Sequence, residues 1–303
     1  MNVNDDDEMK ALHVALQQRL EQLLPVGNQQ DLVCEAMRGG TLAAGKRIRP
    51  LLLLLTAQDL GCHVEKPGLL DLACAVEMIH AASLMLDDIP CMDNAMQRRG
   101  MPTIHRQYGE SVAILAAIGL LSRAFGVVAE ANALPPGVKT QAVTELSSAV
   151  GMQGLVQGQY RDLVEGKQAR SAEAILLTND LKTSRLFDAT LQMAAIVADA
   201  PVQARQRLRC FAQDLGLVFQ LMDDLTDGVS GTGKDINQDN GKSTLVEMLG
   251  AEAVHQRLRE HLRSADEHLA SACDKGTSTR RFMRAWFDKQ KAMFGLDWSL
   301  PEC

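Results

Sequence analysis

The sequence predicts an all-α chain, and three observations carry that expectation. Apolar residues recur at helical spacing over most of the length. Of 303 residues, 46% are hydrophobic but only 4% aromatic, with Leu and Ala abundant. That balance suits helices packed on helices better than strands, which draw on β-branched and aromatic side chains. Glycine and proline punctuation is sparse and falls between the periodic stretches.

Leu12, Leu16, Leu20 and Leu23 form a first stripe, closed by Pro25-Val26-Gly27. A second apolar run, Leu51 to Leu55, follows a basic segment. Lys66-Pro67-Gly68 separates it from a helix that reaches Ala81 to Leu86. Pro90 cannot continue the hydrogen-bond ladder, so that helix should kink or end there, with Asp93 folding back towards Asp87 and Asp88. Val112 to Leu121 is apolar but only about half of the ~20 residues a spanning helix needs, so no stable membrane anchor is expected. Asn132 to Pro136 ends another helix, and Val164 to Ser171 reads as a loop. Leu215 to Met222 is a further apolar helical segment, followed by a loop over Gly228 to Gly241. Length alone would allow about two domains. With no low-complexity linker and no internal repeat, residues 1–303 are expected to form a single helical domain.

The net charge of −7 and pI near 5.5 argue against sequence-independent nucleic-acid binding, which depends on neutralising phosphates with Lys and Arg. The start carries Asp5, Asp6, Asp7 and Glu8 and no apolar core, so it is not a secretory signal. Seven scattered cysteines without a CxxC pair read as free thiols in a reducing cytoplasm.

Two acidic clusters stand out: Asp87-Asp88-Ile89-Pro90-Cys91-Met92-Asp93 and Asp223-Asp224-Leu225-Thr226-Asp227. Each directly follows an apolar helical segment, where unpaired carboxylates are costly. In the second, Asp223 and Asp227 are i and i+4 on one helix face, and Gly228 is a C-cap candidate. Acids at a helix C-terminus also oppose the negative dipole end, which a cation would offset. One such cluster is more often a solvated helix end; two, both beside apolar segments, point to a metal. Oxygen-only ligands suit Mg²⁺, which is typically held by one or two carboxylates plus substrate phosphates.

Basic groups accompany both clusters. Gly45-Lys46-Arg47-Ile48-Arg49-Pro50 precedes the first, and Arg98-Arg99-Gly100 follows it. Lys182-Thr183 lies mid-chain, and Lys234 and Lys242 follow the second cluster. Arg forks bind phosphate oxygens bidentately and Lys adds point charge. Acids and bases together are what a metal-bridged diphosphate requires. Each basic group alone is weak evidence, and a lone His80 or Gln220 is more often a hydrogen-bonded structural residue. No P-loop, HExxH or GxSxG motif is present.

In this order, from about Gly39 to Leu249, these motifs resemble the trans-prenyltransferases, the farnesyl and geranylgeranyl diphosphate synthase family. The matching signatures are GKRxRP at Gly45 to Pro50, DDxxxxD at Asp87 to Asp93, RRG with Pro102-Thr103, Gly158-Gln159 with Asp162, Lys182-Thr183, and FQxxDDxxD at Phe219 to Asp227. The stretch Asp239 to Val246 is most similar to bacterial geranylgeranyl diphosphate synthases of carotenoid biosynthesis. The resemblance implies an isoprenoid synthase-type bundle of about ten or more helices around a central cavity. It implies a cytoplasmic homodimer acting on isopentenyl diphosphate and allylic diphosphates, with about three Mg²⁺ ions when substrate is bound. Asp87, Asp93 and Asp223 would anchor the metal, supported by Asp88, Asp224 and Asp227. Arg98, Lys182, Thr183 and Gln220 would contact the allylic diphosphate, together with Lys234 or Lys242. Lys46, Arg49, His80 and Arg99 would hold isopentenyl diphosphate, with Arg47 a further candidate.

The implied chemistry is ionisation, condensation and proton loss. Ala82 and Ser83, five and four residues before Asp87, would lie about a turn below the metal. Both are small where short-chain synthases tend to carry an aromatic, which implies geranylgeranyl rather than farnesyl diphosphate as product. A terpene cyclase would lack the GKRxRP segment, and a non-catalytic subunit would lack the Asp-rich motifs.

Overall fold

The computed structural model of the chain describes residues 3–28, 30–63, 66, 68–165, 168, 170–226 and 245–294, which are helical along most of their length. In the first part of the chain come α1 (Val3–Leu23), α2 (Leu32–Leu42), α3 (Ile48–Asp59) and α4 (Leu69–Asp87). A minimal hairpin follows, β1 (Gln97–Arg98) and β2 (Met101–Pro102), then α5 (Ile104–Tyr108), α6 (Glu110–Glu130) and α7 (Pro136–Val150). Next are α8 (Leu155–Glu165), α9 (Ala172–Asn179), a five-residue π-turn (Asp180–Ser184) and α10 (Arg185–Val197). The series ends with α11 (Val202–Thr226), α12 (Leu245–Leu249), α13 (Ala251–Ala272) and α14 (Ser278–Phe294). Caps follow ordinary side-chain chemistry: Asp31 accepts from the Cys34 amide and Ser171 from the Ala174 amide. Pro136 opens α7, where its missing N–H costs nothing.

The described residues form two compact units. One holds those up to 54 and from 66 to 143; the other holds 55–63, 144–226 and 245–294. In the first, α4 packs against α6, α1 and α2. Leu72 through Ile79 are buried without interruption, so α4 has no solvent face along that stretch. A helix apolar all round belongs inside a core. α6 buries Ala113, Ala116, Ala117, Leu120 and Ala124 but leaves Ile114, Leu115 and Ile118 exposed.

The apolar stretch Val112 to Leu121 does not end where the sequence suggested. It belongs to the 21-residue α6. By length and composition both α4 and α6 could cross a bilayer, with 67% and 39% of their most apolar windows buried inside the protein. For α4 that burial is reason enough for its apolarity.

In the second unit α11 packs on α13 and α10. Much of the scarce aromatic content gathers here: Phe219 stacks on Trp286 with centroids 4.6 Å apart and lies 5.1 Å from Phe187, and Phe287 meets Trp286 edge-on at 4.9 Å. Such pairs contribute about 0.5–1.5 kcal/mol beyond their buried area. Asp59, 1% exposed, accepts from the Ser278 and Thr279 amides at 2.9 and 2.8 Å and so caps α14 from a distant part of the chain. Six cysteines among the described residues are unbridged. Burial first, then the charges of Asp59 and Asp274, push the Cys273 thiol up to about 12, which keeps it unreactive.

Candidate active site

One set of candidate residues grows from the end of α4. The Asp88 amide still bonds to the Leu84 carbonyl, but beyond Pro90 the ladder is lost and the chain turns back. The Asp93 amide donates to the Asp87 carbonyl at 2.9 Å, and the Ala95 amide to that of Asp88 at 3.2 Å. Asp87 and Asp93 are thereby brought to one turn, and both keep part of their surface open.

Asp88 is placed differently. It is 3% exposed, and both its oxygens accept from Arg98: Nε lies 2.8 and 2.9 Å away and Nη2 2.5 Å. As a metal ligand Asp88 would have to share its oxygens with this bidentate guanidinium, which takes up most of their acceptor positions. Arg98 is positioned by Asp88 through Nε and Nη2 and keeps part of its side chain open. Burial pulls the Arg98 pKa down, but the hydrogen bonds and charge of Asp88, with Asp87 and Asp93 nearby, lift it above its usual value. Breaking so enclosed a pair costs about 3–5 kcal/mol.

The β1–β2 hairpin delivers Arg98. Its two central residues, Arg99 and Gly100, have φ of 55° and 76°, the double positive φ that a two-residue type I′ turn demands. Arg99 at the tip is exposed and lies over the basic loop: a Cβ on Gly45 would sit 2.6 Å from its Nη1, so a larger residue there would make the Arg99 guanidinium shift. Thr103 ties the base of the hairpin down, donating to the Ala95 carbonyl at 2.9 Å.

Around His80 the cations converge. Arg49 Nη1 lies 3.5 Å from His80 Nε2. Burial first, and then Arg49, Arg99, Arg98 and Arg47, hold His80 well below the usual histidine range, so it is neutral at pH 7. Lys46 is exposed. Arg47 is not part of the open set. It is 7% exposed, and its guanidinium donates to Glu77 Oε1 at 2.5 Å and to the Ala43 carbonyl at 2.9 Å. Its φ of 48° is left-handed, a strained conformation for a bulky residue that costs of order 1–3 kcal/mol.

Ser83 and Ala82 divide. Ser83 keeps part of its surface open and donates to the His80 carbonyl at 2.9 Å, whereas Ala82 is 0% exposed. The expectation that both residues open onto the substrate path is revised for Ala82, which borders no space large enough for water.

A second set of candidate residues belongs to the other unit. Asp223 is exposed on the last turn of α11, and Gln220 donates to Asp224 Oδ1 at 2.8 Å. Phe219, in the same motif, belongs to the aromatic core. Asp227, Lys234 and Lys242 lie outside the described residues. Lys182 and Thr183 sit in the π-turn between α9 and α10, an irregularity often found at functional sites. Lys182 Nζ bonds to Asp162 Oδ2 at 2.8 Å. A Cβ on Gly158, one turn before Asp162 on α8, would lie 2.5 Å from the Lys182 amide nitrogen. A Cβ on Gly216 of α11 would lie 2.1 Å from Ser184 Oγ. The π-turn is thus seated on two glycines. The spacing of Gly158 and Asp162, i and i+4, was the available sequence signal for this seat; for Gly216 and Glu77 the sequence held none.

Among the described residues no three His, Cys, Asp or Glu side chains are gathered closely enough to hold a metal by themselves. The donors on offer are carboxylate oxygens, with Asp87 and Asp93 joined through their backbones. That set fits Mg²⁺, which completes its shell with water and phosphate.

The chain matches the family model described as polyprenyl synthetase over residues 30–275. It is 63% identical over 286 residues to a geranylgeranyl diphosphate synthase from Pantoea ananas, covering 94% of this chain and 95% of that one. It is 54% identical to a geranylgeranyl diphosphate synthase from Pseudescherichia vulneris, covering 98% and 95%. Among solved structures, the apo form of an FPP/GFPP synthase from Zymomonas mobilis superposes with a TM-score of 0.82 at 30% identity, covering 98% of this chain and all of that one.

Proposed function

Because the chain belongs to the polyprenyl synthetase family, whose members are prenyltransferases, we propose that it condenses isopentenyl diphosphate head to tail (1′–4) with an allylic diphosphate, converting (2E,6E)-farnesyl to geranylgeranyl diphosphate. The observation that carries this reading is the charge arrangement at the end of α4. A carboxylate turn at Asp87 and Asp93 follows, two turns along α4, a neutral His80 on which Arg49 and the hairpin arginines Arg98 and Arg99 bear. Arg49, Arg99, Lys46 and His80 would hold isopentenyl diphosphate. Lys182, Thr183 and Gln220 would hold the allylic diphosphate, with Lys234 or Lys242 as a further cation. Arg98 acts on Asp87 and Asp93 by neutralising Asp88 between them.

About three Mg²⁺ ions, held by Asp87, Asp93 and Asp223 with Asp224 and Asp227 nearby, would supply charge neutralisation to the departing diphosphate. The allylic C–O bond breaks and the diphosphate leaves with the electron pair. The double bond of isopentenyl diphosphate attacks the allylic carbon and forms the new C–C bond. The released diphosphate takes the proton, which restores an allylic double bond, so no side-chain base is required. The geranylgeranyl product is supported by the two bacterial relatives and by Ser83, a small residue on the Asp87 face of α4. The family match runs without interruption through both units, which supports one catalytic domain over residues 1–303. The exposed Ile114, Leu115 and Ile118 of α6 support a homodimer, since such a patch gains by being covered. The unbridged thiols suit a cytoplasmic enzyme, and the bacterial motif likeness a role in carotenoid biosynthesis.

The test is incubation of isopentenyl diphosphate with each allylic starter and Mg²⁺, with the products sized by chromatography. Geranylgeranyl diphosphate should dominate, chelator should abolish turnover, and Asp87→Ala and Asp223→Ala should each lower kcat by orders of magnitude with helicity kept. Farnesyl diphosphate as end product would overturn the chain length, and full turnover in excess chelator the metal.

A further inference from the structure

Arg47 lies between the exposed Lys46 and the half-buried Arg49, and of the three cations it is the one that is buried. Its guanidinium reaches the Glu77 carboxylate, 30 residues on, and the Ala43 carbonyl, four residues back. Its own carbonyl accepts from the Leu51 amide, so the same residue also starts α3. These bonds fasten the basic loop at both ends. Glu77 is the fixed point: it is 2% exposed in the fully buried stretch of α4. It lies three residues before His80, on neighbouring turns of one helix.

Glu77 uses only one of its oxygens for Arg47; Oε2 takes no hydrogen bond. A buried carboxylate half satisfied in this way is costly unless its charge is used. Arg49, Arg99, Arg98 and Arg47 all bear on His80, and the charges of Glu77 and Asp88 both act on Arg99. Glu77 is therefore the carboxylate that pins the basic loop, through Arg47, before a diphosphate arrives.

We propose that Glu77 is a positioning residue for the isopentenyl diphosphate site, fixing Lys46, Arg49 and Arg99 for the diphosphate through its ion pair with Arg47. This rests on the prenyltransferase reading above. The effect is expected at one of the two substrates, because the loop that Glu77 fastens through Arg47 carries Lys46 and Arg49, the residues assigned to isopentenyl diphosphate.

The test is steady-state kinetics of Glu77→Gln, with each substrate varied at saturation of the other. Gln keeps the size and an acceptor for Arg47 but removes the charge. The KM for isopentenyl diphosphate should rise tenfold or more, while the KM for farnesyl diphosphate and kcat stay within twofold. A second variant, Arg47→Met with Glu77→Leu, replaces the pair with apolar side chains, which buried sites often accept without loss of stability. It should melt close to the wild type and still show the raised KM for isopentenyl diphosphate. The proposal is overturned if both KM values rise together, if kcat falls with neither KM changed, or if the double variant restores the wild-type KM. Turnover by the wild type reports on the underlying reading separately: its absence with every starter sinks that reading, whereas an unchanged Glu77→Gln in an active enzyme sinks only this one.

Discussion

Ala82 and Ser83 are adjacent in sequence and both small, but α4 sends them to different surroundings. At 3.6 residues per turn, the residue four before Asp87 is offset from it by about 40° and the residue five before by about 140°. Ser83 accordingly shares the partly open face of Asp87 and His80, while Ala82 is packed at 0% exposure. Ser83→Tyr should shift the main product from geranylgeranyl towards farnesyl diphosphate while consumption of the short starter continues, because a ring there blocks elongation only. Ala82→Tyr has no open volume to enter. It should lower the thermal midpoint, as overpacking by roughly 1–3 kcal/mol does, before it selects a product. Product chromatography beside a thermal melt checks both. A stable Ala82→Tyr enzyme making farnesyl diphosphate would reverse the assignment of the two faces.

The π-turn shows how an element can be defined by what its neighbours lack. Asp180–Ser184 departs from regular α geometry, and α8 and α11 each present a glycine against its backbone. At Gly158 the nearest atoms are backbone atoms of Leu181 and Lys182, which cannot swing aside as a side chain can. Gly158→Ala should therefore displace the turn that carries Lys182 and Thr183. We expect kcat to fall at least tenfold, equivalent to about 1.4 kcal/mol, with helicity unchanged by circular dichroism. Gly126→Ala in α6 is the matched control. Its Cβ would meet only side-chain atoms at 3.8 and 3.9 Å, so it should keep full activity and gain up to about 1 kcal/mol of helix stability. Equal activity in the two variants would show that the seat has no bearing on catalysis.

For the whole molecule, acid stability follows from its histidines. His80 is held well below 6.5 by burial and neighbouring arginines, and His13 is lowered by burial and Arg47. Below about pH 6.5 the unfolded chain takes up these protons and the folded chain resists them. The stability they contribute is present above 6.5 and is lost as the pH falls from 6.5 towards their folded values. Asp266 adds a later loss. Burial would raise it, but hydrogen bonds from Arg280 and Arg284 hold it below 3.8, so its contribution disappears only as the pH falls below 3.8. The thermal midpoint of the wild type should decline between pH 6.5 and 5, and His80→Gln should decline less steeply. Parallel curves would mean that His80 is not held neutral in the folded chain.

Local chemistry in the sequence was enough to announce the helices, the stop at Pro90 and the carboxylates on either side of it. Apolar periodicity, the missing proline donor and the cost of acids beside an apolar segment all act within a few residues, so they can be read without knowing the path of the chain. The same sequence offered Asp87 and Asp88, Arg47 and Arg49, or Ala82 and Ser83 as near equivalents. Helix phase separates the last pair; the charged ones are separated by pairing at a distance, Asp88 with Arg98, ten residues on, and Arg47 with Glu77, thirty on. Helical periodicity says that a residue faces inward but not which charge waits there. Only the tertiary structure decided which arginine is a strut and which is open to substrate, because a buried charge settles where its counter-charge is, and the backbone brings that partner from elsewhere in the chain.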